Sequence, residues 1–590
     1  VPDQLGYVTP DGWATKAANI LALPGVPDRG YCLDLRCEGG ELAFELARQS
    51  SLVIIAVEDT EPEVAAARQF LTARGVYGAR VTVVLAANLA DLPFAKDTFN
   101  LVVSQSQIAN TTSYATLISE TLPETKPGRG ITAGLDASTW TATPKAAATG
   151  IDDWTQQYGG PGNAGANQDA LGGKKTIPEF DLQWIGRPGP EIVIDRMVRA
   201  PAPLSANGRF FCQGMGRILA LDSHNGCVLW TREIQDLRRL NMIRDASNMA
   251  AADEGLYLAV HGECWQLAGD DGTRTSYDVL PGPNPDLEYS WGYVSRSGSH
   301  LLGSAVKSDA FYKQYWGQEF WFDSQSGSET QQVCSDNLFS IDPDTGLTNW
   351  EYTDGLILNV SITVGDGKVF FLETRNPSAL TGENRRLSAS TWKSSLHLVC
   401  LDLATGGVLW DVTPTLNGGE PCMYVQYAEG RLVVMGSEQS NDTFNLYGFD
   451  PTDGSLDWSK SHGWVASHHG GNHQHPVLSN GNIHLEPHRY SLTTGTLTGS
   501  NVMPGRAGCS TFIGAKDVFF YRGGTMSGQY AGSIGMWDPV GNTTSATSRN
   551  RPGCWISWVP ANGMILVQEQ GAGCSCGSWM ETSFGLAPKP

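Results

Sequence analysis

Seven of the 11 histidines fall between His462 and His488, in the segment SHGWVASHHGGNHQHPVLSNGNIHLEPHRY. Neutral imidazole nitrogens bind Zn, Cu or Fe, so local crowding of this kind is a metal-site candidate. His473 and His475 are two apart and share a face on a strand, while His468 and His469 precede a Gly-Gly turn. Glu486 could add a carboxylate, and His484 and His488 would share a face on an unbroken strand. The expected ligand set is His468, His469, His473 and His475, and the chemistry it would support is metal-dependent oxidation and reduction. The competing reading is a set of histidines bonded to turns on an acidic surface. No GxSxG, HExxH, Walker or CxxC motif occurs, and DPDTG and DPTDG lack the Glu that closes a calcium loop. The aromatic run FYKQYWGQEFWF (311–322) reads as a stacking surface, a subunit contact or an insertion packed on its neighbour.

The elements that must carry these residues repeat. GRFFCQGMGRILALDSHNGCVLW (208–230) is a Gly-led strand, a turn, a strand ending in Asp, a Gly-containing turn and a strand closing on Trp. The phrase returns as NLFSIDPDTGLTNW (337–350), HLVCLDLATGGVLW (397–410) and NLYGFDPTDGSLDW (445–458), with degenerate copies at 489–497 and 535–544. Alternating apolar residues require half-buried antiparallel strands. The aspartates should accept from turn N–H groups, the glycines supply positive φ, and the tryptophans fill the wedge to the next repeat. Repeats of this size predict a mainly β fold, a β-propeller of seven or eight blades over 181–590. A strand near Gln183–Ile185 is expected to complete the last blade and remove an exposed edge.

This wording resembles the PQQ-enzyme-like (quinoprotein, BamB-like) propeller repeat, whose strand-turn-strand carries Ala-Leu-Asp, Thr-Gly and Trp. In that family the quinone lies beneath a vicinal Cys-Cys disulfide, and this chain has no Cys-Cys pair, so PQQ is not expected.

Ahead of the repeats, residues 31–105 alternate short apolar strands with amphipathic helices, the βαβαβ signature of a small α/β, Rossmann-like domain with a parallel sheet. A short helix is expected within 1–30. LDLRCEGGELAFELA resembles the first motif of a class I S-adenosylmethionine-dependent methyltransferase, and ANLADLPFAKDTFNLVV its adenine-side loop. The resemblance implies cofactor contacts at Asp34, Gly40 and Glu58, the last on the ribose. Arg36 and Glu38 stand where the family has glycines, Gly39 where it has an acid, and Asn88 and Asn100 where it has later acids. Long side chains in that turn collide with a ligand, so the domain is expected to be degenerate and S-adenosylmethionine not to bind. Residues 106–180, rich in Thr, Ser, Ala and Gly, read as an extended linker that docks on a domain surface. DDWT and DLQWIGRPG resemble a group of large exported bacterial proteins, best represented in planctomycetes, that join a methyltransferase-like domain to such a propeller.

With 40 Lys and Arg against 61 Asp and Glu, the net charge is −21, which excludes nucleic acid and anionic membranes as partners. No run of 18 apolar residues spans a membrane. Twelve cysteines suit an exported, disulfide-bearing chain; Cys212 and Cys227 could pair, and Cys509, Cys554, Cys574 and Cys576 could staple the last blades. Val1 reads as a processed or truncated start. Together these features predict an exported, non-catalytic scaffold working through protein partners or self-assembly in the periplasm, at the cell surface or outside the cell. A metal-dependent oxidoreductase, or a methyltransferase, is the competing class.

Overall fold

The computed structural model describes residues 12–87, 92–104, 130–136, 139–146, 148–189, 201–214, 216–235, 237, 248–310, 331–465, 471–506, 510–523, 533–547, 555–568 and 582–590. The chain divides into two compact units, Val1–Thr149 with Leu221–Leu229, and Gly150–Ala220 with Trp230–Pro590. The protein is mainly β, with an α/β parallel sheet in the first unit.

That sheet has the order β3-β2-β1-β4-β5-β6, from β1 (Arg29–Leu35), β2 (Ser51–Glu58), β3 (Val81–Leu85), β4 (Leu101–Ser104), β5 (Ile131–Asp136) and β6 (Thr139–Pro144). The first five strands are parallel and β6 runs antiparallel to β5. Helices α1 (Trp13–Leu21), α2 (Glu41–Gln49) and α3 (Glu61–Ala73) accompany it. Strand alternation sends Cys32, Ile54, Leu101 and Val103 into one apolar layer with Ala17, Ile20, Leu42 and Leu46, and Leu33, Val57 and Val102 into another with Phe99. Thr60 caps α3 by accepting from Glu63 N.

Two strands therefore lie inside the stretch 106–180 that composition marks as a linker. Thr and Ala dominate β5 and β6, and β-branched Thr is a good strand former once β4 offers an edge. Ile131 and Ala133 are buried there. The domain accordingly extends past residue 105.

The second unit is built from antiparallel sheets, eight among the described residues. Five of them are runs of four strands consecutive in sequence, as in Met423–Ala428, Arg431–Glu438, Thr443–Phe449 and Leu456–Gly463, while Gln332–Ser335, which falls between strands of the third sheet, joins the fourth. The eighth combines Trp558–Ala561, Met564–Val567 and Ser583–Pro588 with Phe180–Gly186, which pairs with the C-terminal strand from Ser583↔Gly186 to Pro588↔Phe180.

The repeated Asp, Gly and Trp each do one job. Asp342 Oδ1 accepts from Asp344 N at 2.8 Å, Asp402 Oδ1 from Thr405 N at 2.8 Å, and Asp450 Oδ1 from Thr452 N at 2.7 Å. Each Trp packs on the turn glycine of the following sheet. A Cβ on Gly406 (φ 70°) would stand 2.6 Å from Trp350 Cγ, so both the backbone conformation and the packing demand glycine. The same relation joins Gly272 to Trp230, Gly454 to Trp410 and Gly495 to Trp458. The indole N–H groups of Trp230, Trp350 and Trp410 donate to the carbonyls of Gly269, Leu403 and Pro451, each three residues before that glycine. Tyr277 takes the part of Trp in the second sheet, its hydroxyl donating to Pro343 O at 2.7 Å.

Residues 152–169 are neither linker nor surface strap. Trp154 exchanges two backbone bonds with Ser205 of the first sheet, and Thr155 O accepts from Ala251 N of the second at 2.8 Å. Gln156 Nε2 donates to Ser295 Oγ of the third sheet, and Pro161 O accepts from Val364 N of the fourth. Gly162 O accepts from Tyr427 N of the fifth, Ala164 O from Leu478 N of the sixth, and Gly165 O from Gly514 N of the seventh. Asn167 Nδ2 reaches Pro560 O of the eighth at 2.8 Å. The segment thus visits one strand of each of the eight sheets in sequence order, and Trp154, Gln156, Tyr158 and Asp169 are buried.

Candidate functional site

In the first unit, β1 ends at Leu35 and the turn Arg36–Gly40 leads into α2. Arg36 N and Cys37 N both donate to Val57 O, tying the turn to the end of β2. Arg36 (φ 56°), Glu38 (φ 52°) and Gly40 (φ 89°) all adopt left-handed backbone. The turn keeps the conformation that glycines favour even where the side chains are long. Arg36 Nη2 donates to Asp59 Oδ2 at 2.7 Å, in a half-exposed pair.

Asp34 is fully buried and neither carboxylate oxygen has a hydrogen-bond partner among the described residues. Burial, reinforced by Glu58 and Glu38, pushes its carboxyl up to about 8. Glu58, also buried, has one oxygen without a partner; burial raises it, while the Cys37 thiol and the Glu38 backbone act against that. Burial and the two carboxylates together raise the Cys37 thiol far above its ordinary range. Asp34, Glu58 and Gly40 are thus gathered at one end of the sheet. A buried carboxyl whose oxygens have no partner among the described residues, beside a second with one such oxygen, fits a ligand that brings hydroxyl donors and positive charge.

Asn100 has a different task. Its Oδ1 accepts from Tyr31 N and from Asn225 Nδ2, and its Nδ2 donates to Asp222 Oδ2 at 2.6 Å. Asn88 lies outside the described residues. The oxygens of Glu58, Asp59 and Glu63 are the one group of three potential metal ligands among the described residues, and Arg36 already neutralises Asp59.

The histidine segment does not assemble as its spacing suggests. His468 and His469 lie outside the described residues. His475 is buried, stacked on Tyr158 with centroids 3.6 Å apart and edge-on to Tyr424 at 4.7 Å. His473 is buried in a short 3₁₀ turn, where its carbonyl accepts from the Tyr424 hydroxyl. His484 packs on Phe519 and Trp537, across a turn from His488, which meets His462 edge-on. Glu486 is no spare carboxylate: it pairs with Arg506 at 2.9 Å, both side chains buried. No group of three metal ligands includes a histidine among the described residues. Burial lowers His475 and His484 to about 3 and His462 to about 4, so all three are neutral at physiological pH.

The expected Cys212–Cys227 pair does not form. Both thiols are free, because the strand Arg217–Asp222 lies between the strand of Cys212 and the one that follows Cys227. No disulfide forms among the eight described cysteines. Cys509, Cys554, Cys574, Cys576 and the 311–322 aromatic run lie outside the described residues.

Comparison with known proteins locates two likenesses. Residues 33–129 match the family described as a methyltransferase domain, and residues 335–483 the family described as outer membrane protein assembly factor BamB. No curated protein matches. Similar solved structures include a putative S-adenosyl-L-methionine-dependent methyltransferase from Methanococcus maripaludis, at 21% identity over 21% of this chain and 54% of that one, TM-score 0.19. A putative sarcosine dimethylglycine methyltransferase from Galdieria sulphuraria follows at 18% identity over 20% and 45%, TM-score 0.19. Geranyl diphosphate C-methyltransferase from Streptomyces coelicolor A3(2) shows 14% identity over 20% and 44%, TM-score 0.18. The chain spans about half the length of these structures.

Proposed function

We propose that the second unit is a closed eight-bladed β-propeller acting as a rigid scaffold for protein assembly. The observation that carries this reading is the order in which residues 152–169 meet the eight sheets. Contact between Trp558–Ala561 of the eighth sheet and Leu204–Ala206 of the first supports ring closure, as does the pairing of Phe180–Gly186 with Ser583–Pro588. A segment of the chain's own backbone bonded to all eight sheets, in a sequence without a Cys-Cys pair, does not fit PQQ. Export is carried by the likeness to an outer membrane protein assembly factor; the free cysteines add nothing to it. The test is affinity capture from envelope extracts with the full chain, paired with small-angle scattering. A ring-shaped particle with a saturable protein partner is the expected result; an open particle, or one with no partner, ends the reading.

A second reading has its own observation, the buried carboxyls of Asp34 and Glu58 beside a turn in glycine-like conformation. On this reading the first unit binds an adenosyl ligand, with Glu58 accepting from ribose hydroxyls, Asp34 facing the ligand's positive charge and Gly40 opening α2. S-adenosylmethionine, when bound, supplies an activated methyl group. Calorimetry with S-adenosylmethionine decides it: binding lost in Glu58→Gln supports the site, and no heat from the wild-type chain removes it.

A further inference from the structure

We propose that one strand from each of the eight sheets contributes to a binding site for an extended peptide, and that residues 152–169 are its resident ligand, bound within the same chain. The recognition is mostly backbone to backbone. Thr155, Pro161, Gly162, Ala164 and Gly165 offer carbonyls to amides of five sheets, as an added strand does at a sheet edge. Two side chains set direction and register. Gln156 reaches Ser295, and Asn167 Nδ2 donates to both Pro560 O and Asp153 O. Aromatic anchoring comes from Tyr158, stacked on His475 and accepting from Trp555 Nε1 at 2.9 Å. Gly162 marks the closest approach, since any Cβ there would collide with the Tyr427 carbonyl. Such a set of contacts is that of a bound peptide held by the site itself, independently of the chain on either side.

This inference rests on the ring proposed above, and the experiment separates the two. Protease recognition sequences are introduced into the full chain at two exposed positions, after Thr149 and after Gly173. Both are cut under native conditions, and the product is passed over a sizing column. The 150–173 peptide is expected to co-elute one-to-one with the remainder, seen by mass spectrometry, and to leave only with urea. Gly162→Val should release it at a clearly lower urea concentration; if that variant does not fold, Asn167→Ala replaces it. A peptide that leaves in native buffer, or release insensitive to these substitutions, overturns the proposal. Scattering from the uncut chain tells which idea failed: a ring that loses its peptide defeats the peptide site alone, while an open particle defeats both.

Discussion

Asn100 and Asp222, 122 positions apart in the chain, share a 2.6 Å hydrogen bond between buried side chains. The amide suits the place because it donates to Asp222 and accepts from Tyr31 and Asn225 at once. A carboxylate cannot donate, and would face Asp222 as a like charge in a site shielded from water.

Asn100→Asp should therefore destabilise the first unit by about 2–4 kcal/mol at neutral pH. Urea unfolding followed at pH 7 and pH 4.5 checks it. The deficit should shrink at the lower pH as one of the facing carboxylates takes a proton; an equal deficit at both would remove the charge argument.

Asp34 gives the first unit a distinct pH signature. Its folded value of about 8 lies above the unfolded carboxylate value of about 3.9, so the native state holds a proton that the unfolded state has lost. Stability from this group is complete below about pH 4 and declines as pH rises through about 8, by a few kcal/mol in total. Asp34→Asn should flatten that decline between pH 5 and 8.5 in thermal unfolding. A variant that keeps the wild-type slope would place the ionisation elsewhere.

His475 works in the opposite sense. It is held near 3 when folded, against about 6.5 when unfolded, so protonation favours the unfolded chain as pH falls from 6.5 toward 3. His475→Phe keeps a ring against Tyr158 and should resist acid to a lower pH than wild type. Tryptophan fluorescence during acid titration reads the shift, and an unchanged midpoint would count against His475.

Trp350 and Gly406 test the joint between sheets. Trp350→Ala should cost about 3–5 kcal/mol, as large buried aromatics do. Trp350→Phe should lose less, chiefly the bond to Leu403 O. Gly406→Ala should destabilise on its own through the left-handed φ and the approach to Trp350. Combined with Trp350→Ala it should cost less than the sum, because the collision is gone. Additive losses in the double-mutant cycle would show that the two residues do not meet.

What the sequence displays well is whatever is local. Glu41–Gln49, Val81–Leu85 and Leu101–Ser104 fall within the alternation of apolar strands and amphipathic helices read over 31–105. The Asp-Gly-Trp grammar is legible because each turn bonds to itself. The Trp–Gly joint is expected in kind, as a wedge, although its partner glycine lies in another repeat. Residues 152–169 have no period to read, because their bonds go to eight different sheets rather than to one face. The histidines mislead for the complementary reason: nearness along the chain is not nearness in space, and the ring partner of His475 is Tyr158. Arg36 and Glu38 look like a broken glycine turn, and only the backbone angles show that the turn persists.

The pairing of Phe180–Gly186 with Ser583–Pro588 also has a temporal consequence. Pro188 and Ser583, bonded beside that pair, are 395 residues apart. At ordinary elongation rates of about 5–20 residues per second, the first strand waits roughly 20–80 s for its partner to leave the ribosome. Residues 152–169 emerge earlier still, ahead of every sheet they bind. Each sheet can meet this segment as soon as its own strands are made, so the bonds of residues 152–169 become available in the order of synthesis.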